Sequence, residues 1–487
     1  MAAIVSILST FTCKLPYSLP TSHTSSFRMC YHTTSTTTTR RSGNYGPSTW
    51  DFTYIQSLNT TSYTAERFVT RRDELKERVK DMLKNEEMKE LEKMEMIDEL
   101  QRLGCSYHFE DEIKAALMDI YMKNSDSYKS SSEEKDLYAT ALEFRLLRQN
   151  GYNISQDVFN VFMDRERSSF KANLCEDTKG LLNLYEASFL SMEGETTLKL
   201  AKDFSTKHMK YVAHDQNLGD QNLLASVQHA LELPLHWRMP RLEAKCFIDS
   251  YKLKATWNPI LLEFAKLDFN LVQAVHQEDL KFVSRVVENF IWSVGLYFNP
   301  MYANWRRMNA KINCFICTID DIYDVYGTMD ELQLFTDTIE RWDDVSEIGH
   351  LPEYMKFCYV ALHNFVNEVA FDVLKEHNIF IVHYLRKANE MKRGDVPKAI
   401  QCYMNENRVY SNADARDFID FEISETWKKM NKVRIEGSPF SEAFIEVAMN
   451  IARMAQCMYQ HGDGHGIKNL ETQTRIQTLL FQPIPLI

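Results

Sequence analysis

Apolar residues recur at three- and four-residue intervals through most of the chain, which is the period of an amphipathic helix and not the alternation of a half-buried strand. Over residues 65–103 the register is carried by Leu75, Val79, Met82 and Leu83, then by Leu91, Met94, Ile97 and Leu100, with Gly104 placed to stop the helix. The opposite face is densely charged and reads as solvated. The same period resumes over residues 110–122 and 137–148, with Ser130-Ser131-Ser132 and Asn150-Gly151 as short connectors. Pro234 and Pro240 bracket Leu235-His236-Trp237-Arg238-Met239, and two prolines so close interrupt helix. That break puts a boundary near residues 231–240. Beyond it lie long aromatic-rich helices over residues 261–276, 282–297, 308–326 and 354–377. The expected fold class is all-α, in two helical halves.

Composition narrows the picture. A chain of 487 residues is too long for one ordinary core. Its 15 Gly and 12 Pro leave little turn material for many short strands, while 28 Phe, 23 Tyr and 7 Trp suffice for large cores and an aromatic-lined pocket. A net charge of −12 argues against a nucleic-acid partner, which recruits basic surfaces. No segment approaches the roughly 18 uninterrupted apolar residues of a membrane span. The ten cysteines follow no regular framework and read as reduced thiols, including Cys314 and Cys317, whose apolar surroundings make them packed core thiols on a helix. Before Asp51 there is no acidic residue, and serine and threonine crowd residues 6–39. This is the chemistry of an organelle transit peptide, expected over residues 1–39.

The candidate chemistry lies in the second half. Asp320, Asp321 and Asp324 follow an apolar helical run, and residues four apart share a helical face, so Asp320 and Asp324 are expected side by side. Two carboxylates held that way repel, and a hard divalent cation relieves the repulsion; magnesium suits carboxylate oxygens combined with water and phosphate. The bland alternative is an acidic helix end in solvent. Capping does not explain the cluster, because the C-terminal end of a helix disfavours anions.

The stretch Asp320-Asp321-Ile322-Tyr323-Asp324-Val325-Tyr326-Gly327-Thr328 resembles the aspartate-rich motif of plant class I terpene synthases. Other segments are similar to that family: Glu176-Asp177-Thr178-Lys179-Gly180-Leu181, Glu232-Leu233-Pro234-Leu235-His236-Trp237-Arg238, Arg393-Gly394-Asp395-Val396-Pro397-Lys398 and His461-Gly462-Asp463-Gly464. Arg40-Arg41, eight residues and then Trp50 resembles the tandem-arginine signature of angiosperm plastid monoterpene synthases. The resemblance implies an N-terminal helical domain of structural role over residues 40–235 and a class I terpenoid synthase bundle over residues 236–487. It implies magnesium, or manganese in its place, bridging Asp320 and Asp324 to a prenyl diphosphate, with Asp321 nearby and geranyl diphosphate as the substrate. Trp292 and Tyr323 become candidates for contact with a carbocation, and Arg40 and Arg41 for capping the pocket. A monomer in the plastid stroma is the expected working form.

Two departures stand out. The family's second metal site belongs between Ala388 and Asn389, where dozens of residues are missing, and only Glu390 carries over as a ligand. A second gap falls beside Arg285, which stands in for one of two family arginines that grip diphosphate, while Val283 occupies the other's position. The bundle is therefore expected to be incomplete. Two other readings remain open: a truncated or splice-variant homologue without an enzymatic role, and, more distantly, a prenyl chain-elongating synthase, which usually carries two aspartate-rich motifs.

Overall fold

The structure is a computed structural model that describes residues 40, 50–58, 64–127, 136–214, 220–254, 256–283, 287–342, 344–381, 412–461 and 469–486. In chain order its helices are α1 (Phe52–Ser57), α2 (Glu66–Leu83), α3 (Glu90–Arg102), α4 (Glu110–Ser127), α5 (Leu137–Gln149), α6 (Thr178–Ser188), α7 (Thr196–His214), α8 (Gln221–Glu232) and α9 (Pro240–Ser250). There follow α10 (Pro259–Val283), α11 (Val287–Leu296), α12 (Ala303–Asp321), α13 (Met329–Arg341), α14 (Glu353–His377), α15 (Asn412–Ile435), α16 (Glu442–Tyr459) and α17 (Leu470–Ile476). Among the described residues there is no strand, and one isolated bridge joins Met163 to Phe170. The all-helical reading of the sequence is what the chain adopts.

Local chemistry sets several boundaries. The single helix expected over residues 65–103 is two helices. The amide of Glu87 donates to the side chain of Asn85 at 2.9 Å, a local bond that competes with helix, and α3 starts afresh at Glu90. Gly104 does stop α3: it sits at φ +73°, and the amides of Gly104 and Cys105 donate to the carbonyls of Gln101 and Leu100 at 3.1 Å each. A β-carbon there would stand 2.7 Å from that of Ala244, so only glycine fits. Pro240 occupies the first turn of α9, where its missing amide costs nothing. The Ser130-Ser131-Ser132 connector and the transit-like residues 1–39 lie outside the described residues.

Described contacts divide the chain into two compact units, one holding Arg40 with the described part of Asn304–Val396, the other Trp50–Ala303 with the described part of Pro397–Ile487. In the larger unit, α6 is the central helix of the N-terminal half. Leu184 and Ala187 join Leu137, Ala141, Phe144 and Leu198 in one apolar cluster, while Leu181 and Tyr185 join Met209, Val227 and Ala230 in another. Arg148 is buried there with its guanidinium satisfied by Glu195 and by the carbonyls of Ile154 and Leu190. In the smaller unit, α14 packs Leu362, Phe365, Val366, Val369 and Val373 against Ile312 of α12, and Met355 and Tyr359 against Ile322 and Phe335. Cys314 and Cys317 do not meet the core expectation: Phe315, Ile316 and Ile319 are the residues of this stretch that pack on the core, leaving Cys314 half-buried and Cys317 exposed. Among the described residues no helix is long and apolar enough to cross a membrane.

Candidate active site

The aspartate cluster sits at the C-terminal end of α12, beside Ile319 and Ile322, which pack in the core. Trp305, Arg306, Asn309, Ala310 and Ile312 are buried, whereas Asp320 is half-buried and Asp321 and Asp324 are exposed. The reading of residues 308–326 as one α-helix is corrected at its end. The helix is α as far as Asp321, and Ile322–Tyr326 form a π-helical turn in which the Gly327 amide donates to the Ile322 carbonyl at 2.8 Å. Asp324 therefore lies in a widened turn, so the four-residue spacing of an α-helix does not describe its relation to Asp320. Single π turns recur at functional sites. Gly327 allows this turn because a β-carbon there would meet the Ile322 oxygen at 2.8 Å and Leu332 at 2.6 Å.

After the turn, Thr328 caps α13. Its hydroxyl accepts from the Glu331 amide at 3.4 Å and the Glu331 carboxylate accepts from the Thr328 amide at 3.1 Å, a reciprocal capping box. The same carboxylate receives both terminal nitrogens of Arg40, at 2.7 and 2.9 Å, and the Tyr354 hydroxyl at 3.0 Å. Arg40 also donates to the Tyr326 carbonyl at 3.1 Å and to the Tyr354 hydroxyl at 3.3 Å. Its guanidinium lies 4.8 Å from the centre of the Tyr354 ring and 5.3 Å from that of Tyr326. The Arg40 hydrogen bonds hold Glu331 at a pKa of about 2 and stabilise the charged form of Arg40. Burial, followed by the negative Glu331, raises Tyr354 to about 12. The backbone directly after the aspartates is thus gripped from a residue 286 positions away.

The other end of the tandem-arginine signature is also anchored, within the larger unit. Trp50 donates its indole N–H to Glu288 at 3.1 Å and stacks on Phe481 with ring centres 5.1 Å apart. Trp292, on α11, is half-buried with its ring 6.4 Å from that of Tyr459. Tyr323 packs beside Phe335 in the core and shares a hydrogen bond with the Thr336 hydroxyl at 2.8 Å. Arg285, Glu390, Arg41 and the stretch 393–398 lie outside the described residues. Two family-like segments do structural work: Asp177 caps α6 by accepting from the Gly180 amide at 2.8 Å, and Arg238 bonds Glu243 at 2.8 Å while Trp237 stacks on Trp427. Burial alone would raise Glu243, but Arg238 and Arg102 hold its pKa well below the ordinary carboxylate range.

Sequence reasoning missed Glu331 and Tyr354. The Thr328-x-x-Glu331 spacing is a legible capping signal, but nothing in the sequence joins Glu331 to Arg40. Among the described residues no three metal-binding side chains converge into a ready-made cage. Magnesium does not require one, since one or two carboxylates completed by water and substrate phosphate is its common mode. Asp320, Asp321 and Asp324 offer that donor chemistry.

Comparison with known proteins places this arrangement. Residues 49–231 match the terpene synthase N-terminal domain, and residues 273–389 match the metal binding domain of the terpene synthase family. The (-)-alpha-terpineol synthase of Vitis vinifera is 47% identical over 92% of this chain and 91% of its own length. The chloroplastic myrcene synthase of Quercus ilex is 47% identical over 92% and 90%. The alignment with the Vitis vinifera enzyme runs 546 positions to cover 92% of a 487-residue chain, so that relative carries internal segments this chain lacks. Among solved structures, limonene synthase with 2-fluorolinalyl diphosphate superposes with a TM-score of 0.85 at 36% identity, covering 92% of this chain and all of that one. Isoprene synthase from grey poplar, in complex with three Mg2+ ions and dimethylallyl-S-thiolodiphosphate, gives 0.79 at 34%, covering 90% and 99%. With the fold, the aspartate cluster and these matches in agreement, the chain belongs to the terpene synthase family, whose all-α class I fold it shares.

Proposed function

We propose that the chain is a magnesium-dependent monoterpene synthase that ionises geranyl diphosphate and then cyclises or quenches the carbocation. The observation that carries this reading is the Asp320–Asp324 segment, whose carboxylates emerge at the open end of α12 and whose following turn is fixed by Gly327, Thr328 and the Arg40–Glu331 pair. In this reading Asp320 and Asp324 supply the hard oxygen ligands, with Asp321 beside them and Glu390 as the remaining ligand of the second site. Bound magnesium, or manganese, would offset the charge building on the departing diphosphate. In the same reading Arg285 is the candidate partner of the diphosphate oxygens and Trp292 the candidate aromatic partner of the cation. Exclusion of water lets the hydrocarbon cation rearrange before it is quenched.

Residues 40–235 then serve as a largely structural domain and residues 236–487 house the chemistry in a monomer. The relatives named terpineol, myrcene and limonene synthases support the monoterpene class, and those named chloroplastic, together with the acid-free N-terminal segment, support import into the plastid stroma. Incubating the purified chain with geranyl diphosphate, with magnesium or with a chelator, and analysing extracted volatiles tests the activity. Metal-dependent monoterpene formation is the expected result; turnover of farnesyl diphosphate alone, or metal-independent turnover, contradicts the assignment.

A further inference from the structure

Side chains on one turn point in different directions, so anchoring one of them inward fixes where its neighbours point. In the π turn Ile322–Tyr326, Ile322 is buried and Tyr323 packs half-buried against the same apolar cluster. The Tyr323 ring lies 6.2 Å from that of Phe335, and its hydroxyl meets the Thr336 hydroxyl at 2.8 Å. Thr336 gives its own proton to the Leu332 carbonyl at 2.8 Å, so Tyr323 is the donor to Thr336. Asp324, the next residue, is exposed, as is Asp321 on the other side of Ile322. The aspartate stretch is thus tied to α13 at its middle by Tyr323. Just beyond its end, Arg40 holds the Tyr326 carbonyl at 3.1 Å.

We infer that Tyr323 is a positioning residue for the metal-binding carboxylates: its hydrogen bond to Thr336 fixes the π turn so that Asp324 and Asp320 reach one cation. It acts through the aspartates, not by turning its ring to a carbocation, the role for which its place in the motif makes it a candidate. This rests on the proposed function, in which Asp320 and Asp324 bind the metal. Magnesium demands near-octahedral geometry and tolerates little error in where its ligands stand. Groups that orient metal ligands from behind therefore show up in metal affinity when they are removed.

The test titrates the full chain with Mn2+ alone, counting the unbound ion by its paramagnetic resonance signal. Four variants are compared with the parent. Tyr323→Phe keeps the ring against Phe335, Thr336→Val keeps the shape without the hydroxyl, Thr336→Ser keeps the hydroxyl, and the fourth combines the first two. Roughly tenfold weaker Mn2+ binding is expected in Tyr323→Phe and in Thr336→Val, with no further loss in their combination and near-parent binding in Thr336→Ser. The magnesium concentration for half-maximal release of diphosphate from geranyl diphosphate should rise by the same factor, and helix content by circular dichroism should stay at the parent's value. Tyr323→Phe binding Mn2+ like the parent overturns the inference, and so do losses that add in the combined variant. A fall in thermal stability with metal binding unchanged also overturns it, because the bond is then a structural tie alone. A parent that binds no Mn2+ removes the metal assignment of the proposed function as well, whereas a parent that binds it with the variants unchanged removes this inference only.

Discussion

Helices α6 and α14 pose the same packing problem and meet different ends. Both bury a broad apolar face, and they differ on the opposite side. In α6, Leu184 and Ala187 face one cluster and Leu181 and Tyr185 another, and all four are buried. In α14, Val366, Val369 and Val373 are buried while Phe357 and Phe371 stand in solvent. The covering elements of α6 are its neighbours in sequence, α5, α7 and α8, which are all present. The outward side of α14 instead mixes Phe357 and Phe371 with exposed Asn364, Asn367 and Glu368. A helix flanked by neighbours on both sides buries apolar residues on both, and one flanked on a single side carries a mixed outward face.

The comparison is broken most sharply by truncation. Leu184→Ala should cost about 2–5 kcal/mol, because the cavity opens in a core closed on both sides, and a urea unfolding curve would read it as a lowered midpoint. Gly327→Ala comes next, at about 1–3 kcal/mol, since the added methyl meets a backbone oxygen and not only the movable Leu332. Thermal unfolding of the smaller unit should register it, together with a change in metal-dependent activity.

Glu331→Gln should be milder, about 1 kcal/mol, from the loss of a charged partner for Arg40 and weakening of the cap. Its pH dependence is the sharper test. Glu331 titrates lower folded than unfolded, so its contribution is present above about pH 4.5 and is lost as pH falls toward about 2. Parent and variant should differ at pH 7 and converge as the pH drops toward 2. A constant difference across that window would show that Glu331 is not the group involved. Phe371→Ala should have the smallest effect, within about 0.5 kcal/mol. A cost like that of Leu184→Ala would mean that α14 is covered on both sides after all.

Much of this was legible beforehand, for reasons that particular residues make clear. The three-to-four-residue apolar period locates α2 and α4 because each buries one stripe, while α5 is buried on most of its sides. Gly104 and Pro240 mark a stop and a start because their backbone chemistry admits few alternatives. The break at Asn85 was hidden, since the apolar register continues across it and only a side-chain bond to the Glu87 amide interrupts the helix. The π turn at Ile322–Tyr326 was equally hidden, because the apolar pattern does not change there and the room that only Gly327 leaves beside Ile322 and Leu332 emerges in the folded chain. At the site, three aspartates after an apolar run announce carboxylate chemistry. The Arg40–Glu331 pair spans 291 positions and emerges only from the folded chain.

In the proposed function the carboxylates at the end of α12 drive ionisation of a prenyl diphosphate. It is tested most directly by measuring release of diphosphate from geranyl diphosphate, in magnesium, by the parent chain and by Asp320→Ala, Asp324→Ala and Asp321→Asn. Metal-dependent release by the parent is expected, with a fall of roughly 100-fold or more in each of the first two variants, as when about 3 kcal/mol of transition-state stabilisation is removed, and a smaller fall in the third. Release by Asp320→Ala at the parent's rate would contradict it.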